Sequence, residues 1–259
     1  MMDQQQKQAA ELIGAAKQIV AFTGAGISTE SGLSDFRSAG GLWDRYRIVT
    51  YQEFVASHEA RIEYWSMRRE LIPEILAARP NAAHRALAEL QQKGKLRSII
   101  TQNIDGLHQR AGNDDVIELH GTNLTASCLD CRKSWSIEEI QLRLETGDLD
   151  PACDRCSGAI KPDTISFGQS MPQKEMNRAD DLVRGCDLLL MIGSSLEVQP
   201  AASLPLTAGQ GGAKLIFINR TETPYDDKAH LIFREGCGEV MLGIMAAWAA
   251  TDSSSGQPM

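Results

Sequence analysis

Cys128-Leu-Asp-Cys131 and Cys153-Asp-Arg-Cys156, separated by 21 residues, constrain the fold of this chain more than any other feature. Four thiolates in two Cys-x-x-Cys knuckles supply the tetrahedral sulfur set that a structural Zn²⁺ prefers. Each knuckle places two sulfurs on one tight turn, so a single ion staples two turns of a segment too small to build its own core. A pair of redox or disulfide motifs is the other reading. The spacing favours one structural zinc held by Cys128, Cys131, Cys153 and Cys156. A closed four-cysteine site keeps no open coordination position, so the ion holds structure and the chemistry lies elsewhere.

The chain has 259 residues, enough to bury a substantial core as one large domain or a main domain with a satellite. No apolar run approaches the roughly 20 residues that span a bilayer, and the first residues lack a signal-peptide pattern. Cys186 and Cys237 stand far apart and read as free thiols, which fits a reducing cytoplasm. The net charge of −8 disfavours direct nucleic-acid binding and is compatible with basic protein substrates. The aromatics between Trp43 and Trp65 lie in a segment that is not strongly basic, so they do not make a nucleic-acid surface.

Short, continuously apolar runs at Lys17–Thr23, Leu96–Thr101, Val116–Leu119, Asp187–Ile192 and Lys214–Ile218 read as strands of a parallel sheet covered on both faces. Helical stretches at Asn81–Gln92, with Asn81 as N-cap, and Glu175–Arg184 alternate with them. The expected fold is α/β, a Rossmann-type doubly wound parallel sheet with an inserted small zinc-binding and helical domain. Residues 1–40, 81–123 and 161–250 are assigned to the sheet domain, 41–80 to a helical module and 124–160 to a zinc-binding module. Residues 251–259 read as a disordered tail.

Gly24-Ala25-Gly26 follows the first strand, where backbone N–H groups approach a phosphate or simply make a tight turn. Gly193-Ser194-Ser195 follows a later strand. Two such loops at carboxyl ends of adjacent strands form the crevice in which open α/β sheets bind nucleotides. Ser34-Asp-Phe36-Arg37 brings an arginine suited to a diphosphate. Gln102-Asn103-Ile104-Asp105 and His120-Gly121 also sit just past strands. Helix caps, turns and a core histidine are the plainer explanations of these clusters. All five segments nevertheless fall on the same expected edge. His84 and His108 read as helix braces.

Gly24-Ala-Gly-Ile-Ser28, Ser31-Gly-Leu-Ser-Asp-Phe-Arg37, Thr101-Gln-Asn-Ile-Asp105, His120-Gly121, Gly193-Ser-Ser195 and the four cysteines, taken in order, resemble the signature set of the sirtuins. These are NAD-dependent protein-lysine deacylases. The resemblance runs from about Gln18 to about Gly238 and implies a bacterial-type enzyme with NAD as co-substrate and an active site between the two domains. It places Gly24, Ala25, Gly26, Arg37, Gly193, Ser194 and Ser195 near the diphosphate, and Phe36 over the nicotinamide ribose. Gln102 would hold that ribose, and Asn103, Ile104 and Asp105 would line the nicotinamide pocket. Asn219, Arg220 and Cys237 would meet the adenosine end. His120 would be the general base, taking a ribose hydroxyl proton after the acyl oxygen attacks C1′. A histidine of ordinary pKa near 6.5 suits that task. The products would be nicotinamide, O-acyl-ADP-ribose and free lysine.

The resemblance further implies that an acyl-lysine protein or peptide inserts as an added strand between Phe167-Gly168-Gln169 and Ser195–Val198. Phe167 and Val198 would line the acyl tunnel. Relatives that remove succinyl or malonyl groups carry tyrosine and arginine three residues apart, where this chain has Trp65 and Arg68. Arg68 reads either as a carboxylate partner or as a solvated charge, and the reading favours the second. Acetyl removal is therefore the first expectation, with a desuccinylase preference using Arg68 as the alternative. Protein mono-ADP-ribosylation on the same scaffold, and a noncatalytic NAD-binding module, are the competing functions.

Overall fold

The computed structural model describes residues 4–34 and 46–255. Its strands, among the described residues, are β1 Ile19–Thr23, β2 Leu96–Thr101, β3 Val116–Glu118, β4 Gly121–Cys128, β5 Ser134–Ser136, β6 Ile160–Thr164, β7 Leu188–Ile192, β8 Lys214–Ile218 and β9 Leu231–Phe233. Six of them form a parallel sheet in the order β3-β2-β1-β7-β8-β9. The chain leaves β1 for β2 on one side and later returns to β7 on the other. The order in which strands are added therefore reverses between β1 and β7, and the loops after these two strands border the place where such sheets open a ligand crevice.

Every residue of β1 and β7 is buried. The period-two geometry of a strand sends alternate side chains to opposite faces. Ile19 and Ala21 pack with Ile13, Leu87, Leu90, Met241, Ile244 and Trp248, from the helices Gln4–Ala15, Ala82–Gln92 and Cys237–Ser255. Val20 and Phe22 pack with Ala179, Val183, Leu204 and Ala208, from Gln173–Gly185 and Leu204–Gln210 on the other face. Emptying such a site, as in Phe22→Ala, costs about 3–5 kcal/mol. Asn81 caps its helix as expected, with its side-chain oxygen accepting from the N–H groups of Ala83 and His84 at 3.0 and 3.4 Å.

The second sheet is antiparallel, in the order β5-β4-β6. The helices Tyr51–Ala56, His58–Ala77 and Ile137–Glu145 pack against it. Thr50 with Glu53 and Ser136 with Glu139 form capping boxes that start the first and third. Phe54, Tyr64, Trp65 and Ile72 share one core with Ala126, Ile137, Ile140, Ile160 and the cysteines Cys128 and Cys153. The helical and zinc-bearing modules are thus halves of one small domain. Asp150 ties them at the rim, accepting from Arg61 Nε at 3.0 Å and lying 2.6 Å from His58 Nδ1.

Three boundaries differ from the sequence reading. Gly121–Asn123 and Lys161–Thr164, assigned above to the larger domain, belong to the small sheet, because the ladder pairs Gly121 with Thr164 across the domain junction. The last helix continues through Thr251 to Ser255, into the stretch read as a disordered tail. An established helix propagates at one bond per residue, and Thr251 Oγ1 donates to the Trp248 carbonyl at 2.7 Å. Residues 256–259 lie outside the described residues.

Candidate active site and zinc centre

The glycines after β1 serve backbone contact first. Gly26 N–H donates to Gly193 O at 2.8 Å, and a Cβ on Gly26 would come within 2.8 Å of Gly193 Cα. Gly193 has φ +66°, and a Cβ there would collide with Ile27 N. These glycines bring the loops after β1 and β7 into direct contact. The short 3-10 turn Ala25–Ser31 then projects Ser28 into the crevice.

Ser28 is the centre of a buried polar cluster. Its Oγ donates to Asp105 Oδ2 at 2.7 Å and lies 3.1 Å from Asn103 Nδ2, which also donates to Gly24 O at 3.1 Å. Asp105 Oδ1 accepts from Leu107 N–H at 2.9 Å. Burial raises the Asp105 pKa, against the pull of these donors. Each carboxylate oxygen keeps a free lone pair for a further N–H donor. The sequence reading named Asn103 and Asp105 but missed Ser28 as their link. Its place one turn past Gly24-Ala-Gly was the available signal.

Gln102 has two roles. Its side-chain oxygen accepts from Ser194 Oγ at 2.9 Å, and its carbonyl lies 2.8 Å from His120 Nδ1. A carbonyl only accepts, so the His120 proton sits on Nδ1 and Nε2 carries the lone pair. Burial lowers the His120 pKa, partly opposed by the Gln102 bond. Burial thus favours the neutral ring, with Nε2 able to accept a proton. His120 is also where the sheet domain ends. Ile165 N–H donates to its carbonyl at 2.8 Å, and Gly121 turns with φ +70°, where a Cβ would collide with the Asp163 carbonyl.

One unpredicted acid lies beside the site. Glu118, the last residue of β3, has its pKa raised to about 7, chiefly by burial, with the nearby Asp105 charge adding to it. A lone Glu in a three-residue strand gives no sequence signal for that.

At the expected adenosine end, Asn219 follows β8, is buried, and donates through Nδ2 to Thr221 O at 2.9 Å. Arg220 is exposed. Cys237 is buried at the start of the last helix, and its thiol is pushed up to about 12 by burial, so it stays protonated. Phe36 and Arg37 lie outside the described residues. Ile104 O accepts from Asn123 N–H at 2.9 Å and anchors the pocket loop to β4.

The expected substrate loops are both at the surface. Phe167 is 47% exposed, so it is not a core side chain. Its carbonyl accepts from Tyr51 N–H at 2.9 Å, and Gly168 O accepts from Gln52 Nε2 at 2.8 Å. Gln169 Oε1 closes the turn on Ser166 N–H at 3.1 Å. Val198 is half-buried across the cleft. Trp65 is wholly inside the small-domain core, edge-on to Tyr64 at 5.9 Å.

Arg68 is not the solvated charge that the sequence reading favoured. It is 9% exposed, donates to Asn123 Oδ1 at 2.8 Å and Thr164 Oγ1 at 3.1 Å, and lies 5.0 Å over the Tyr64 ring. The helix His58–Ala77 lies against the small sheet, so this guanidinium bridges β4 and β6 instead of reaching water.

The four cysteines behave as one set. Their sulfurs all lie within 4.8 Å of one another, with Cys128–Cys156 at 3.5 Å and Cys131–Cys153 at 3.6 Å. Tetrahedral Zn–S bonds of about 2.3 Å require sulfurs about 3.8 Å apart. The donor set therefore fits a structural zinc. The six cysteines are all free of disulfides.

The pattern of the Sir2 family matches residues 24–200, from the first glycine loop to the end of the second substrate loop. This chain belongs to the Sir2 family, the sirtuins. It is 54% identical over 235 residues to the NAD-dependent protein deacetylase of Thermodesulfovibrio yellowstonii, covering 91% of this chain and 92% of the relative. A solved Sir2–p53 peptide–NAD⁺ complex superposes with TM-score 0.87 at 38% identity, over 94% of this chain and 98% of that one. A Sir2 variant with deacetylated p53 peptide and 3′-O-acetyl ADP-ribose gives TM-score 0.87 at 40% identity, over 93% and 97%.

Proposed function

We propose that this sirtuin removes acetyl groups from protein lysines in an NAD-dependent reaction, with His120 as general base. The observation that carries the reading is the His120–Gln102 contact, which fixes the ring tautomer with Nε2 as the basic nitrogen, next in the chain to the Ser28–Asn103–Asp105 cluster. NAD, when bound, supplies a nicotinamide leaving group and the ribose carbon that receives the acyl oxygen. Asp105 and Asn103 hold the nicotinamide side and Gln102 the ribose. Ala25, Gly26, Ser194, Ser195 and Arg37 serve the diphosphate, and Phe36 serves the nicotinamide ribose. Gly26 N–H, now bonded to Gly193 O, must then share its proton or yield it. Asn219, Arg220 and the Cys237 backbone serve the adenosine. His120 Nε2 accepts the hydroxyl proton, and the Gln102 carbonyl steadies the resulting imidazolium. Zinc on Cys128, Cys131, Cys153 and Cys156 holds the small sheet and takes no chemical part.

Acyl-lysine peptide adds as a strand between Phe167-Gly168 and Val198, so main-chain pairing dominates and sequence preference is low. Neutral acyl groups suit this pocket, since both terminal nitrogens of Arg68 already serve Asn123 and Thr164 and only its buried Nε–H has no partner. A cytoplasmic location suits zinc thiolates and free Cys186 and Cys237. Among the described residues no helix is long and apolar enough to cross a membrane. The acidic net charge argues against direct nucleic-acid binding.

Mass spectrometry of matched acetyl- and succinyl-lysine peptides, with and without NAD, tests the reading. Acetyl loss accompanied by nicotinamide and O-acetyl-ADP-ribose is expected. NAD consumption with both peptides intact would point instead to ADP-ribosylation of protein, and succinyl loss exceeding acetyl loss would overturn the acyl preference.

A further inference from the structure

Beneath the nicotinamide side of the cleft lies a pair of histidines that the reaction does not use. His84, from the helix Ala82–Gln92, and His108, from the helix Leu107–Ala111, are 0% and 1% exposed, with ring centroids 4.8 Å apart. His84 Nδ1 accepts from Asn81 N–H at 3.4 Å, so its proton is on Nε2, which has no hydrogen-bond partner. His108 Nδ1 is likewise unpartnered. His108 Nε2 lies 2.9 Å from Thr23 Oγ1, which donates to Thr101 Oγ1 at 2.8 Å. With its one hydrogen committed to Thr101, Thr23 accepts the His108 Nε2 proton, and Nδ1 is left as a bare acceptor. Thr101 Oγ1 also accepts from the backbone N–H of Asn103 at 3.0 Å. One line of hydrogen bonds thus runs from His108 across the ends of β1 and β2 into the first residue of the pocket loop.

Leaving polar atoms unpartnered in the interior costs free energy that an apolar side chain would avoid. A hydrogen-bonded chain of buried groups, in return, fixes the geometry at its far end. Asn103 N–H is at that end, and the Asn103 side chain in turn holds Gly24 and Ser28. We propose that His108 is a positioning residue for the nicotinamide pocket, setting the Asn103–Asp105 loop through Thr23 and Thr101, with His84 as its packing partner. The inference rests on the NAD-dependent reading given above. It concerns the nicotinamide end of the cleft alone, so it separates NAD recognition from peptide recognition.

The test compares His108→Leu, which removes the donor at similar bulk, with His108→Gln, whose amide places an N–H near the position of Nε2. Zinc content and melting temperature establish folding. KM for NAD and for acetyl-lysine peptide, the nicotinamide concentration giving half inhibition, and the calorimetric Kd for NAD are then measured. His108→Leu should raise the NAD constants and the nicotinamide value about tenfold, the worth of one hydrogen bond of about 1.4 kcal/mol, with peptide KM unchanged. His108→Gln should return them to within about threefold of wild type. If His108→Leu does not fold, Thr23→Val and Thr23→Ser replace the pair, with the serine retaining what the valine loses. Unchanged NAD constants in a folded leucine or valine variant, or equal defects in both members of a pair, would overturn the proposal. A wild-type protein that binds NAD without deacetylating peptide would overturn the functional reading instead, and the relay would then be judged on NAD affinity.

Discussion

His120 Nδ1 lies 2.8 Å from the backbone carbonyl of Gln102. That contact decides which nitrogen of the ring can accept a proton, and it also links the base to the residue whose side chain meets Ser194. His120 and Ser194 are thus held by the same residue, Gln102.

Removing the base should abolish turnover without disturbing the fold. His120→Ala is expected to lower kcat by about 10²–10⁴-fold while zinc content and melting temperature stay at wild-type values. Peptide deacetylation followed by chromatography checks this, and near-normal turnover in a zinc-loaded variant would remove His120 from the role.

Zinc loss should dismantle the small domain before the large one. The knuckles share the core with Trp65 and Ile140, and a structural zinc contributes roughly 10 kcal/mol or more to folding its site. Chelation or Cys131→Ser should therefore yield a protein with less than one zinc per chain, early-melting small-sheet amides in hydrogen exchange, and no activity. Protection of β1 and β7 should persist. Full activity at zero zinc would contradict a structural ion.

Ser28→Ala should injure NAD use selectively. The change removes a donor from Asp105 and an acceptor from Asn103, about 1–2 kcal/mol in all and near tenfold in KM for NAD. Asp105 loses a bond that lowers its pKa, so its titration moves upward and the acid limb of the NAD-affinity profile moves to higher pH. A pH series of NAD titrations measures the shift.

Glu118 gives stability a pH dependence of opposite sign to an ordinary surface acid. Its folded pKa of about 7 exceeds the unfolded value, so the folded state binds the proton more tightly. Its contribution is most favourable below about pH 4.3 and is lost as pH rises through 7. Glu118→Gln is expected to raise the melting temperature by roughly 2–6 °C at pH 8 and to change it little at pH 4. Calorimetry at the two pH values checks the sign.

The parallel sheet was legible because its strands are buried on both faces, and continuous apolar runs such as Ile19–Phe22 and Leu188–Ile192 carry that burial in composition. β9 was not, since Leu231–Phe233 is three residues at an edge. The helix Gln4–Ala15 also escaped, being mostly polar with only Ala9, Ala10 and Ile13 buried. In the cleft, residue types at loop starts marked Asn103, Asp105 and His120. The partners that set their states did not show, because Ser28, the Gln102 carbonyl and Thr23 act through contacts between distant loops. Arg68 was misjudged for a related reason. A helix shows which residues share a face, and the doublet Arg68-Arg69 does not show which of the two turns toward the sheet.

The chain leaves the parallel sheet at His120, and the return strand is fastened to its carbonyl by Ile165 N–H. The proposed proton acceptor therefore stands where the two sheets join. Any change in the angle between the zinc-bearing half and the nucleotide-binding half would therefore also shift the imidazole of His120. A crosslink that froze the halves would set reactivity by the angle at which it caught them.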